Sequence, residues 1–168
     1  MIEIELEKTY LVKNPPSDLE KYPKVELIDI YLPKSSPHPD LRIRRKGEKY
    51  EITKKSPVKD NDASAQTEHT IKLTKEEYQT LEKIDGLKIR KFRYSYPYGG
   101  QTGEIDVFQD NLSGLILADF EFKTEKERDE FPLPSFCLAD VTNDPVIAGG
   151  ILASKKFSDL TYLFDKYR

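Results

Sequence analysis

The 168-residue chain has no tryptophan, one cysteine, one methionine and two histidines. A single thiol, Cys137, cannot form an internal disulfide, and it fits a reducing compartment. No arginine lies near it in sequence to activate it, so Cys137 is read as a buried structural thiol. No apolar run approaches the ~18–20 residues a membrane-spanning helix needs, and the N-terminus opens on charged residues rather than an apolar leader. A cytoplasmic protein without a membrane partner is therefore expected. There is no Gly-x-x-x-x-Gly-Lys phosphate loop. His38 sits among prolines and His69 beside Glu68, which suits structural or exposed side chains better than catalytic ones. A net charge of −3 argues against a clamp for duplex nucleic acid, though not against a local basic pocket.

What the chain has in quantity is charge, 34% of residues, together with 10 Tyr and 8 Phe that can supply a core. The length fits one domain over 1–168, with no internal repeat and no linker-like stretch. The charges alternate. Glu3, Glu5 and Glu7 interleave with Ile2, Ile4 and Leu6, so a strand here has one carboxylate stripe and one apolar stripe. The same pattern returns at Arg42 and Arg44, Lys91 and Arg93, Glu104 and Asp106, and Asp119 and Glu121. Ile43, Phe92, Tyr94, Ile105, Val107, Phe120 and Phe122 take the opposite parity.

Eight strands are predicted, over 2–11, 25–32, 41–46, 49–55, 68–73, 89–98, 102–108 and 116–123. Segments 33–39 and 57–65 read as loops. Capping boxes start short helices at Thr74/Glu77, Ser17/Glu20 and Thr124/Glu127. In the first of these Tyr78, Leu81 and Ile84 share a face. At the C-terminus Leu160, Leu163, Phe164 and Tyr167 keep helical spacing from a Ser158 cap. The fold class expected is α+β, mainly β. Whether the charged stripe faces solvent on an open sheet or lines the lumen of a closed barrel stays open on alternation alone. Three glutamates on one face of the first strand favour the lumen, because they repel unless a cation holds them.

Glu5-Leu6-Glu7-Lys8-Thr9-Tyr10-Leu11-Val12 resembles the N-terminal Glu-x-Glu-x-Lys strand of the CYTH superfamily, the triphosphate tunnel metalloenzymes. Leu41-Arg42-Ile43-Arg44, Ile52-Thr53-Lys54-Lys55, Lys91-Phe92-Arg93, Glu104-Ile105-Asp106 and Asp119-Phe120-Glu121 follow in the family's order, as does Asp140-Val141-Thr142. The resemblance implies an eight-stranded antiparallel closed barrel with a few flanking helices and a C-terminal helix. It implies that Glu5, Glu7 and Glu121 hold Mg²⁺ or Mn²⁺, with Asp119 as a further ligand or a water-orienting base. Arg42, Arg44, Lys55, Lys91 and Arg93 would then bind the phosphates, while Glu104 and Asp106 serve a second metal site or orient the cations.

The activity implied is metal-dependent removal of the terminal phosphate of inorganic triphosphate or a related triphosphorylated small molecule. A class IV-type adenylyl cyclase and a binding module with weakened catalysis are the alternatives. The family's first-strand lysine is Thr9 here, and Lys8 has the wrong parity to replace it. Around Gln66 and Thr70 one acid, Glu68, stands where the family has more charge. An outer apolar strand face that few helices cover leaves room for a homodimer.

Overall fold

The computed structural model describes residues 2–168, the side chain of Ile2 excepted. Among the described residues nine strands form: β1 (Ile2–Val12), β2 (Lys24–Leu32), β3 (Leu41–Lys46), β4 (Lys49–Lys59), β5 (Asp62–Leu73), β6 (Leu87–Tyr98), β7 (Gln101–Phe108), β8 (Ile116–Phe122) and β9 (Cys137–Asp140). Four short helices accompany them: α1 (Lys75–Leu81), α2 (Glu125–Glu130), α3 (Gly149–Leu152) and α4 (Tyr162–Lys166). The sheet runs β5-β4-β3-β2-β6-β7-β8-β1, every neighbour antiparallel, and β1 closes it by pairing back onto β5. The result is the expected closed eight-stranded barrel. β1 pairs with β5 through Leu6, and from Tyr10 onward the same strand pairs with the short β9.

Alternation positions everything else. Outward residues such as Ile43, Tyr94, Ile105, Phe120 and Phe122 are buried under the helices and connecting segments. Tyr78 of α1 lies against Tyr50, with ring centroids 5.0 Å apart. Cys137 packs into the Phe120 cluster, and burial pushes its thiol up to about 12, as befits a structural cysteine. The aromatic run from Phe92 to Tyr98 packs in the same cluster rather than forming an open platform. Inside the barrel, Leu11, Tyr31, Ile89, Phe108 and Leu117 meet Val141, Ile147, Leu152, Leu160 and Leu163, so the C-terminal segment seals one end. It approaches very closely. A Cβ on Gly149 would strike the Tyr31 hydroxyl, and one on Gly150 the Pro39 carbonyl.

Several local expectations are corrected. The stretch 57–65 is no loop, for β4 and β5 continue as a hairpin to a turn at Asp60-Asn61. Asn61 carries the left-handed backbone conformation (φ 62°) and Pro57 sits at a register irregularity, where its missing N–H costs little. No box forms at Ser17/Glu20, because the Glu20 carboxylate instead accepts from the Tyr94 hydroxyl (2.6 Å), and only a 3₁₀ turn follows Asp18. The boxes at Thr74 and Thr124 do form. α1 ends at Leu81, which leaves Ile84 46% exposed. Leu160 and Leu163 are fully buried as expected, but Asp159 closes a 3₁₀ turn onto the Lys156 N–H, so α4 begins only at Tyr162. Ile4 is 66% exposed rather than packed under a helix.

Candidate active site

Above the sealed end the barrel encloses a cavity of about 780 Å³, and all but one of the charged residues singled out on strand parity face it: Glu5, Glu7, Arg42, Arg44, Lys55, Lys91, Arg93, Glu104, Asp106, Asp119 and Glu121. The exception is Glu3, which is exposed and does not belong to the interior. Lys54 points outward, 3.9 Å from Asp40.

One wall, built by β3, β2, β6 and β7, is made of matched ion pairs. Arg44 donates two hydrogen bonds to Asp29, at 2.7 and 2.8 Å, and both side chains are buried. Asp106 accepts from Lys91 at 2.6 Å and from Arg93 at 2.7 and 2.8 Å, while a further Arg93 nitrogen lies 2.6 Å from Glu104. Burial alone would raise Asp29 and Asp106. The adjacent guanidinium and ammonium charges overcome it and hold both carboxyls well below the usual range. Glu104 and Asp106 thus orient cations.

The opposite wall, built by β5, β1 and β8, has too many carboxylates. Lys55 reaches over from β4 and sets its ammonium 2.6 Å from Glu5, 3.4 Å from Glu7 and 3.7 Å from Glu68. Burial and a hydrogen bond shared with Glu68 push Glu5 up to about 7, while Glu68 is held low by that bond, Thr70 and Lys55 against the effect of burial. Asp119 is pushed up to about 6 by burial and the Asp106 charge. Glu121 is raised by burial and by Glu104. Thr9 donates to Asp119 Oδ1 at 2.6 Å, and Lys8 points away to Asp140 at 3.6 Å.

Arg42 differs from the other cations. Among the described residues it has no carboxylate within ion-pair distance, and its Nε is buried without a hydrogen-bond partner. Its guanidinium lies beside the Tyr31 hydroxyl. Asp29 and Tyr31 escaped the sequence reading. Their strand alternates Leu27, Asp29 and Tyr31 on the inner face, a mixed stripe without the repeated charge that marked the others.

Among the described residues no three His, Cys, Asp or Glu side chains converge closely enough to hold a metal ion as they stand. The chemistry of the donor set nevertheless fits a hard divalent cation. The donors are all carboxylate oxygens, several are held high by burial and by neighbouring carboxylates, and an ammonium already sits among Glu5, Glu7 and Glu68. Around the cavity carboxylates outnumber lysines and arginines. A polyanion would be repelled by this excess unless a cation accompanied it.

The comparisons agree with this geometry. Residues 3–136 match the model of the CYTH domain. An inorganic triphosphatase of Nitrosomonas europaea is 31% identical over 143 residues, covering 83% of this chain and 90% of that protein. The crystal structure of an inorganic triphosphatase superposes with a TM-score of 0.64 at 30% identity, over 89% of this chain and 93% of that one. A protein of Pyrococcus horikoshii shares the fold at 17% identity and a TM-score of 0.53, over 74% of this chain and 83% of its own. With its barrel closed, its charged interior in the expected order and four-fifths of its length matched, this chain belongs to the CYTH domain family.

Proposed function

We propose that residues 1–168 act as one cytoplasmic unit that hydrolyses the terminal phosphate of inorganic triphosphate or a related triphosphorylated small molecule, with Mg²⁺ or Mn²⁺. The observation that carries this reading is an interior with a cationic wall facing a wall of under-neutralised carboxylates. Such an interior suits an anion and a divalent cation together better than either alone. Similarity to an inorganic triphosphatase, in sequence at 31% identity and in structure at 30%, supports the same reading.

In this reading Arg42, Arg44, Lys55, Lys91 and Arg93 bind the phosphate oxygens and align the chain of phosphates. Glu5, Glu7 and Glu121 hold the metal, which when bound withdraws charge from the phosphate oxygens. Asp119 orients the attacking water: Thr9 fixes one carboxylate oxygen and leaves the other to accept a proton. Water oxygen bonds to the terminal phosphorus, the bridging P–O bond breaks with its electrons leaving on diphosphate, and orthophosphate is released. Asp119, ionising at about 6, is free to take the water's proton at neutral pH.

Product analysis with inorganic triphosphate, ATP and thiamine triphosphate, each with Mg²⁺, Mn²⁺ or chelator, tests this. Orthophosphate released from triphosphate only with metal is expected; cyclic AMP and diphosphate from ATP would replace the hydrolase by a cyclase. Glu121→Gln should lower metal-dependent turnover by roughly 10³-fold, the middle of the range a positioned catalytic group supplies. The native fold should survive, and unchanged activity in that variant would remove Glu121 from the site.

A further inference from the structure

Lys55 stands where two roles conflict. Its ammonium is the cation nearest Glu5 Oε2 (2.6 Å), and it also lies within 4 Å of Glu7 and Glu68. A cation bound through the same oxygens would have to share them with the ammonium, and two positive centres cannot both lie within 3 Å of one carboxylate oxygen without strong repulsion. Lys55 reaches this position across β5, the strand between β4 and β1, from a backbone paired with Glu68. It is thus a tethered counter-ion for the β1 glutamates.

The opposing pull is also present. Arg42 lines the same cavity as Lys55, and among the described residues its buried Nε has no partner. An anion seated between Arg42 and Lys55 would satisfy the guanidinium and relieve their repulsion. It would also offer the ammonium a second set of oxygens. Once Lys55 turns to that anion, Glu5 and Glu7 lose their counter-ion and become strong ligands for a divalent cation.

Resting on the function proposed above, we propose that Lys55 is a displaceable internal cation: it blocks Glu5 and Glu7 in the free protein, and a polyphosphate draws it off them, so that polyphosphate and divalent cation each strengthen the other's binding. By linkage the two enhancements are equal. The free protein should therefore bind metal weakly, and metal-free polyphosphate should bind more weakly than the number of basic side chains suggests.

The test is calorimetric titration of Mn²⁺ into the metal-free full chain without any polyphosphate. Lys55→Met, which keeps length and removes charge, should bind Mn²⁺ at least tenfold tighter than wild type, and Lys55→Arg should stay as weak as wild type. A Lys55→Met affinity equal to or below wild type overturns the proposal. A second titration uses inorganic triphosphate in metal-free buffer. Glu5→Gln releases Lys55 and should tighten triphosphate binding, and by more than Glu121→Gln, whose carboxylate makes no ion pair with Lys55. Equal gains would mean that only net charge matters, and would overturn the proposal too. Hydrolysis by wild type separates the two claims. Turnover with unchanged Mn²⁺ affinities sinks the Lys55 mechanism alone, whereas absence of turnover with any divalent cation sinks the function.

Discussion

On the β3–β2–β6–β7 side of the barrel each buried carboxylate has its cation within 2.6–2.8 Å, whereas on the β5–β1–β8 side three glutamates share one lysine. The same residue types line both walls, yet their ionisation is driven in opposite directions. Asp29 and Asp106 are held ionised by guanidinium and ammonium groups, while Glu5, Asp119 and Glu121 are pushed toward the neutral form. Matched pairs hold a wall together by local contacts. Mismatched charges add little cohesion, and in the function proposed above their cost is offset only when phosphate and metal bind.

Breaking the matched wall should have the largest effect on stability. Asp106→Ala leaves Lys91 and Arg93 buried without their shared carboxylate, and removing one partner of a buried pair costs about 3–5 kcal/mol. Urea denaturation of the metal-free protein would measure it. A loss below about 1 kcal/mol would mean that Glu104 and water replace Asp106, and that the wall is not held by its pairing.

The mismatched wall was the more legible of the two in the sequence. Glu5 and Glu7, and Asp119 and Glu121, announce themselves by period two, and a strand that repeats charge with apolar residues between can be read without a partner. So can Arg42/Arg44 and Lys91/Arg93. Asp29 could not be read, because its meaning lies in Arg44 on the next strand and its own stripe is apolar at Leu27. The division of labour between Arg42 and Arg44 was hidden for the same reason: one parity, one residue type, different neighbours. The long β4–β5 hairpin was missed because it turns on Asn61 without glycine, and its residues from Ala63 to Gln66 carry little hydrophobic contrast. Closure stayed open on alternation alone; the three same-face glutamates of the first strand pointed to a lumen, and the family resemblance implied the closed barrel.

The second effect has the opposite sign to the first. Asp119 ionises at about 6 in the folded chain against an ordinary value of 3.8, so the folded state holds its proton more tightly than the unfolded state. Well below pH 3.8 both states are protonated and the group is neutral to stability. As pH rises to about 6 the unfolded state ionises first, so stability falls, and above that it stays lower. Asp119→Asn keeps an acceptor for Thr9 and removes the charge. The metal-free variant should be more stable than wild type by roughly 2–3 kcal/mol at pH 8, at about 1.4 kcal/mol per pH unit between the two ionisations. The two proteins should converge well below pH 3.8. Thermal denaturation across that range is the measurement, and a variant less stable at pH 8 would place Asp119 among the matched charges.

Arg42 and Arg44 sharpen the comparison most finely, since they differ only in what they touch. Two nitrogens of Arg44 are committed to Asp29, whereas Arg42 keeps a buried nitrogen with no partner among the described residues. Phosphate binding should thus depend on Arg42 more than on Arg44. Loss of a charge-assisted contact of ~1.5–3 kcal/mol predicts that Arg42→Ala weakens triphosphate binding roughly 10- to 100-fold. The loss should be larger at low salt than at high salt, where screening weakens whatever charge attraction the cavity offers. Arg42→Lys should recover only part, because a point charge cannot reproduce the planar fork. Arg44→Ala should instead show its main effect in unfolding, by stranding Asp29 in the interior. If Arg44→Ala costs more binding than Arg42→Ala, then Asp29 surrenders its arginine to the phosphates, and the matched wall opens on binding just as Lys55 is proposed to do on the other side.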